Sequence, residues 1–170
     1  MSIDQLREVT RNGAWKSHAL ALLSSTAPSS DFVEQFAVYW IEGGHHIRDQ
    51  LADDRLLVCL LRYALPPYEG PVLTLWRGEN RDRWLSRQIG FAWTSDRDVA
   101  RMFGRGLNAV HSGGLLLEGR FEPKAIISGS NAHSHYLGEG QFTVDPRCAR
   151  GIAVVERFPS TALQGADHEI

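Results

Sequence analysis

The hydrophobic spacing of this chain changes once, near residue 70, and that change restricts the folds open to it. Upstream, Phe32, Val33, Phe36, Ala37, Trp40 and Ile41 recur at the interval of one helix face, and Asp31 with Glu34 has the spacing of a capping box. Leu56, Leu57, Leu60, Leu61 and Ala64 repeat the interval in a second helix, opened by Asp53 or Asp54 and closed by Pro66 and Pro67. A weaker helix is expected around Trp15 to Leu23. After "PPYEG" the apolar runs shorten to "VLTLW", "LLLEGRFE", "KAII", "QFTV" and "GIAVV", mostly bounded by Gly, Pro or Asp as strands are. One good helix is expected among them, from "TSDRDVARMFG", with Val99, Met102 and Phe103 inward and Gly104 or Gly106 at its end. The expectation is a single α+β domain: a helical part over 1–68, mostly β structure over 70–158, and a polar tail over 159–170.

The chain has 170 residues, a length that usually builds one core. Its 18 Lys and Arg are offset by 20 Asp and Glu, for a net charge of -2, so it carries no electrostatic footprint for nucleic acid and duplex binding is disfavoured. Cys59 and Cys148 are too few for a disulfide framework and stand in no zinc spacing. No apolar run approaches the ~20 residues of a membrane span, and "MSIDQLREVTRNG" has no basic stretch leading into an apolar one. A soluble protein is expected, working in the cytoplasm of its maker or delivered into that of a target cell.

Three segments carry chemistry. In "LTLWRGE" an apolar strand ends in Arg77 beside Gly78; a guanidinium there offers a fixed fork of donors to a phosphate or carboxylate, and the glycine permits close backbone approach. The structural alternative is a surface arginine paired with Glu79. In "GFAWTSDRDVARMFG" a short strand runs into a helix with Thr94 and Ser95 at the junction. One hydroxyl serves to cap the helix, Ser95 and Asp98 having capping-box spacing, and the other is free to order a site. In "GEGQFTVDP" an extended chain would put Glu139 and Gln141 on one face and Phe142 and Val144 on the other.

Taken in order, "LWRG", "WTSDRDVARMF", "LLLEGRFEPKAII" and "GEGQFTVDP" resemble the mono-ADP-ribosyltransferase family of the Arg, Ser-Thr-Ser, Glu-x-Glu type, which includes bacterial toxins and prophage-encoded proteins. The likeness covers roughly residues 72–157. It implies an ADP-ribosyltransferase-like split β-sandwich with N-terminal helices, and transfer of ADP-ribose from NAD to a macromolecular acceptor, expected to be a protein, with release of nicotinamide. NAD is then a substrate, and no metal is required.

Residue by residue, the resemblance makes Arg77 and Gly78 the strand arginine and its glycine, contacting NAD phosphate or ribose. Trp93, Thr94 and Ser95 occupy the Ser-Thr-Ser segment, with tryptophan at its first position, and Thr94 and Ser95 order the NAD cleft. The loop "GRGLNAVHSGG", 104–114, falls where the family keeps a segment near diphosphate and nicotinamide. Glu139 takes the first acidic position, contacting ribose or activating the acceptor; in many members that residue directs transfer to arginine.

Gln141 stands where the resemblance puts the catalytic glutamate. An amide keeps a hydrogen bond to the ribose but brings no negative charge to the cationic sugar, a loss on the order of 10² to 10³ in rate. Three readings stay open: a shifted register in which Glu139 is the working carboxylate, a catalytically dead protein that still binds NAD or a protein partner, or an enzyme disarmed by a Glu-to-Gln change.

Two rival chemistries are weaker. His45 with His46 and His133 with His135 lie in stretches expected to be loops, without a carboxylate or cysteine at ligand spacing. No Gly-x-Ser-x-Gly elbow supports a hydrolase.

Overall fold

The chain begins with a helix that its hydrophobic spacing does not announce. In the computed structural model, which describes residues 1–161, Ser2 and Gln5 form a capping box at the start of α1 (Ile3–Arg11). Next come α2 (Trp15–Leu23), α3 (Ser30–Leu51) and α4 (Asp54–Ala64). The α3 cap is Ser29, whose side chain accepts from Phe32 N, and not the expected Asp31–Glu34 box. Asp31 sits inside the first turn, where its charge favours the positive end of the helix. Asp53 caps α4 through Arg55 N and Leu56 N. Of the expected polar tail, 162–170 lies outside the described residues.

From residue 73 the chain is strands with short helices between them: β1 (Leu73–Asn80), α5 (Arg81–Leu85), β2 (Ala92–Thr94), α6 (Arg97–Arg105), β3 (Gly114–Phe121), β4 (Ile126–Ser128), α7 (Ala132–Tyr136), β5 (Gln141–Val144) and β6 (Ile152–Phe158). Three helices therefore interrupt the strands, where the spacing led us to expect one. The two extra ones span five residues each, too short to show a period, and side chains of Asn80 and Asn131 cap them. Both histidine pairs are helical and not in loops, His45 and His46 in α3 and His133 and His135 in α7. In "KAII" the first two residues belong to a 3-10 turn, and only the isoleucines enter the strand.

All the strand pairs are antiparallel, in the order β4-β5-β2-β1-β3-β6. The result is an α+β architecture of N-terminal helices followed by a six-stranded antiparallel sheet. Instead of two separate sheets the strands form one, but its middle is thin: β1 meets β2 at the single pair Trp76↔Thr94. Continuing that register would place Gly78 opposite Ala92, and the strands have already parted there.

Two apolar clusters hold these layers. One joins α1 to α4 around Trp15, Phe36, Ile47, Leu57 and Leu60 and reaches Phe91 and Ile127. The other lies in the sheet around Leu75, Trp93, Leu117, Phe121 and Val144. The buried indole of Trp40 in α3 donates to Thr143 Oγ1 in β5 at 2.9 Å, tying one part to the other.

Helix α6 lies across β1 and β3 at very short range. A Cβ on Gly78 would fall inside the contact distance of Gly104 N and Ala100 O, and one on Gly114 would overlap Gly104 O. Gly78 therefore serves first to let a helix backbone approach the strand. The same packing corrects the helix face: Ala100 and Gly104 are buried, Val99 and Phe103 half-buried, and Met102 is 52% exposed. Gly106 ends the helix.

Candidate functional site

Where β1 and β2 separate, the opening becomes a cleft. Trp76, Arg77 and Gly78 of β1, Ala92, Trp93 and Thr94 of β2, Val99, Ala100 and Phe103 of α6, Asn108, Glu139 and Gln141 line it. Strand alternation alone would divide Trp76 from Arg77. Both reach the cleft because the ladder stops between them, and Arg77 Nη1 donates at 2.7 Å to Ala92 O, a carbonyl in the part of β2 that β1 leaves unpaired.

Thr94 pairs with Trp76 on one side and with Gln141 on the other, so three strands bring those residues into one row. Thr94 Oγ1 accepts from Asp96 N at 3.1 Å. Asp96, not Ser95, caps α6, taking Asp98 N and Val99 N on its carboxylate. Ser95 is exposed and does not line the cleft. An ionised carboxylate is the stronger acceptor at a helix N-terminus, which leaves Ser95 in solvent.

The alternation expected for "GEGQF" starts later than its spacing suggests. Gly138 and Gly140 take φ values of 74° and 51°, so Glu139 belongs to a turn and the strand begins at Gln141. Glu139 N and Gly140 N both donate to Ser134 O, which hangs the turn from α7. Glu139 and Gln141 reach the same cleft through that turn and not through a shared strand face. Burial lifts the Glu139 carboxyl above the ordinary glutamate range, with nearby His133 opposing the effect. Within Gln141–Val144 alternation does apply: Phe142 and Val144 both pack in the sheet core, and Val144 is fully buried.

Arg77 has a partner two residues along its own strand. Its Nε lies 2.8 Å from Glu79 Oε2, and Glu79 is 0% exposed. Burial alone would raise the Glu79 pKa, but the Arg77 guanidinium and the N–H groups of Gly90 and Asn80 outweigh it and hold the carboxyl below its usual range. The pairing named as a surface alternative is thus present, and it is buried. Arg77 lines both this cleft and a second one beside it.

Sequence spacing overlooked Asn108, which donates to Gly78 O at 2.9 Å and supplies the only direct lining from the 104–114 loop; Arg105 stays exposed. Nothing marks Asn108 in the sequence, because its role follows from the loop folding back onto β1. The cleft encloses about 180 Å³. That is smaller than the ~300–1,000 Å³ pockets that bury drug-sized molecules, so it has room for a fragment-sized group. A second cleft of about 210 Å³ shares Arg77, Ala92 and Gln141 with it, and Trp40, His45, Arg48 and Arg83 lie around it. A further groove of about 400 Å³ over β3 and β6 contains none of these side chains. Among the described residues, no three His, Cys, Asp or Glu side chains group as a metal site, and no helix is long and apolar enough to cross a membrane.

No family model matches this chain, and no curated protein or solved structure matches it.

Proposed function

We propose that the protein binds NAD in the cleft between β1 and β2 and transfers ADP-ribose from it to a protein acceptor, in the manner of the Arg, Ser-Thr-Ser, Glu-x-Glu ADP-ribosyltransferases that its motifs resemble. The reading also takes the thinly joined sheet as that family's split β-sandwich. One observation carries it: Arg77, Thr94, Glu139 and Gln141, spread over 65 positions of sequence, line a single cleft.

In this scheme the C1'–N bond of the nicotinamide ribose breaks and its electron pair leaves on nicotinamide. The acceptor's lone pair then bonds to C1', and its proton passes to Glu139. Burial suits Glu139 to that task, because a carboxylate with a raised pKa is a better proton acceptor. Arg77 offers N–H donors to the diphosphate, Thr94 orders the cleft, and Gln141 hydrogen-bonds the ribose. With an amide at 141 no charge stabilises the cationic sugar, and this favours a second reading in which the cleft binds NAD and turns it over slowly or not at all.

Nicotinamide release from NAD by the protein and by Gln141→Glu separates the two. The transferase reading expects Gln141→Glu to be faster by on the order of 10² to 10³. NAD binding without release in either protein leaves the binding module. Absence of NAD binding in both overturns the whole proposal. Arg77→Lys is the appropriate binding control, since Arg77→Ala would leave Glu79 buried without its main cation.

A further inference from the structure

Glu79 is the most completely buried charge in the sheet, and of the donors it meets Arg77 lines the cleft while Arg83 and Gly90 line the second cleft beside it. Its Oε2 accepts from Arg77 Nε at 2.8 Å and from Gly90 N at 2.9 Å. Its Oε1 accepts from Asn80 N at 2.9 Å and lies 3.4 Å from Arg83 Nε. An ionised carboxylate this deep is costly unless its lone pairs are filled, and an apolar side chain of similar size is often no less stable. Stability alone therefore does not call for a glutamate here.

Its effect on Arg77 is specific. Glu79 holds Nε, Ala92 O holds Nη1, and Gly90 lies so close to the guanidinium that a Cβ there would overlap Nη2 and Cζ. With two of its five N–H groups committed, the guanidinium is locked in plane and angle, and one edge of donors remains for a ligand. Arg77 and Arg83 together outnumber the single charge of Glu79, so the cluster stays attractive to an anion.

We propose that Glu79 and Gly90 are positioning residues that set the Arg77 guanidinium for the diphosphate of the bound dinucleotide; the identity of that ligand rests on the function proposed above. Glu79→Gln keeps the shape but turns one acceptor into a donor facing donors. Gly90→Ala pushes the guanidinium aside while leaving every charge in place.

Calorimetric titration of both variants with NAD and with nicotinamide riboside, which lacks the diphosphate, tests this. Each variant is expected to bind NAD more weakly by about tenfold or more, the size seen when the outer hydrogen-bond partner of a metal ligand is removed, with riboside binding unchanged. Equal loss of both ligands would mean general damage to the cleft, and unchanged NAD affinity in both folded variants would mean no positioning; either result overturns the proposal. The Arg77 Nε–H signal in nitrogen-15 spectra, assigned with Arg77→Lys, gives a readout without ligand. It is expected sharp and downfield in the unsubstituted protein, lost in Glu79→Gln and displaced in Gly90→Ala. If the unsubstituted protein binds no NAD, the proposed function fails, and an Nε–H signal unmoved by both substitutions would overturn the positioning role as well.

Discussion

The helical part and the sheet solve burial in opposite ways. Around Trp15, Phe36 and Leu57 the helices close an aromatic and aliphatic interior, in which the Trp15 indole finds its acceptor in Thr10. Across the sheet a buried glutamate is ringed by backbone and guanidinium donors, and the ladder is left open at β1 and β2. Packing completes the first region, whereas unfinished hydrogen bonding shapes the second. The open ladder is what leaves a cleft between the two strands.

Cutting into the helical interior should have the largest effect. Trp15→Ala is expected to lower stability by about 3–5 kcal/mol, as removal of a large buried aromatic does, with denaturant unfolding as the measure. A loss below roughly 1 kcal/mol would mean that this interior is not tightly packed.

Next is the seam between α6 and β1, where Gly78→Ala puts a methyl against the helix backbone. Overpacking there is expected to cost about 1–3 kcal/mol. Because α6 itself lines the cleft, NAD affinity should fall as well. Unchanged stability would show that the seam yields and that the sheet half is softer than its contacts imply.

The smallest effect concerns pH. The folded protein raises the Glu139 pKa, so it holds that proton more tightly than the unfolded chain does. Its contribution to stability is therefore fully present below the ordinary glutamate pKa and is lost as pH rises through the raised folded value. Glu79 runs the other way: its depressed pKa stabilises above the ordinary range, and that stability is lost as pH falls through the folded value. Glu139→Gln should flatten the thermal midpoint across the window just above the ordinary glutamate pKa and leave the acid limb set by Glu79. A profile with the same slope in both proteins would show that Glu139 is solvated as in an unfolded chain.

How far each feature was legible follows from the range of the forces behind it. The faces of α3 and α4 and the strands at 73–80 and 114–121 could be read directly, because periodic apolar side chains are a local signal. Helices α5 and α7 could not, since five residues hold too little of a period and are decided by capping and neighbours. Within the cleft, Arg77, Thr94, Glu139 and Gln141 were found through motif order. The exchange of cap from Ser95 to Asp96 was visible only in the helix geometry, because three successive residues there can each accept the same N–H groups. Asn108 and the service of Glu79 to two segments left no sequence trace beyond the two-residue spacing of Arg77 and Glu79.

The sequence by itself determined the order of the layers, helices and then strands, because side-chain period and backbone geometry act between near neighbours. Tertiary structure alone decided that β1 and β2 touch at one pair, that Gly90 leaves room for a guanidinium, and that a turn carries Glu139 into the cleft. Those outcomes depend on which distant backbone lies within a few ångströms, and a linear pattern has no means of encoding that distance except through the fold it produces.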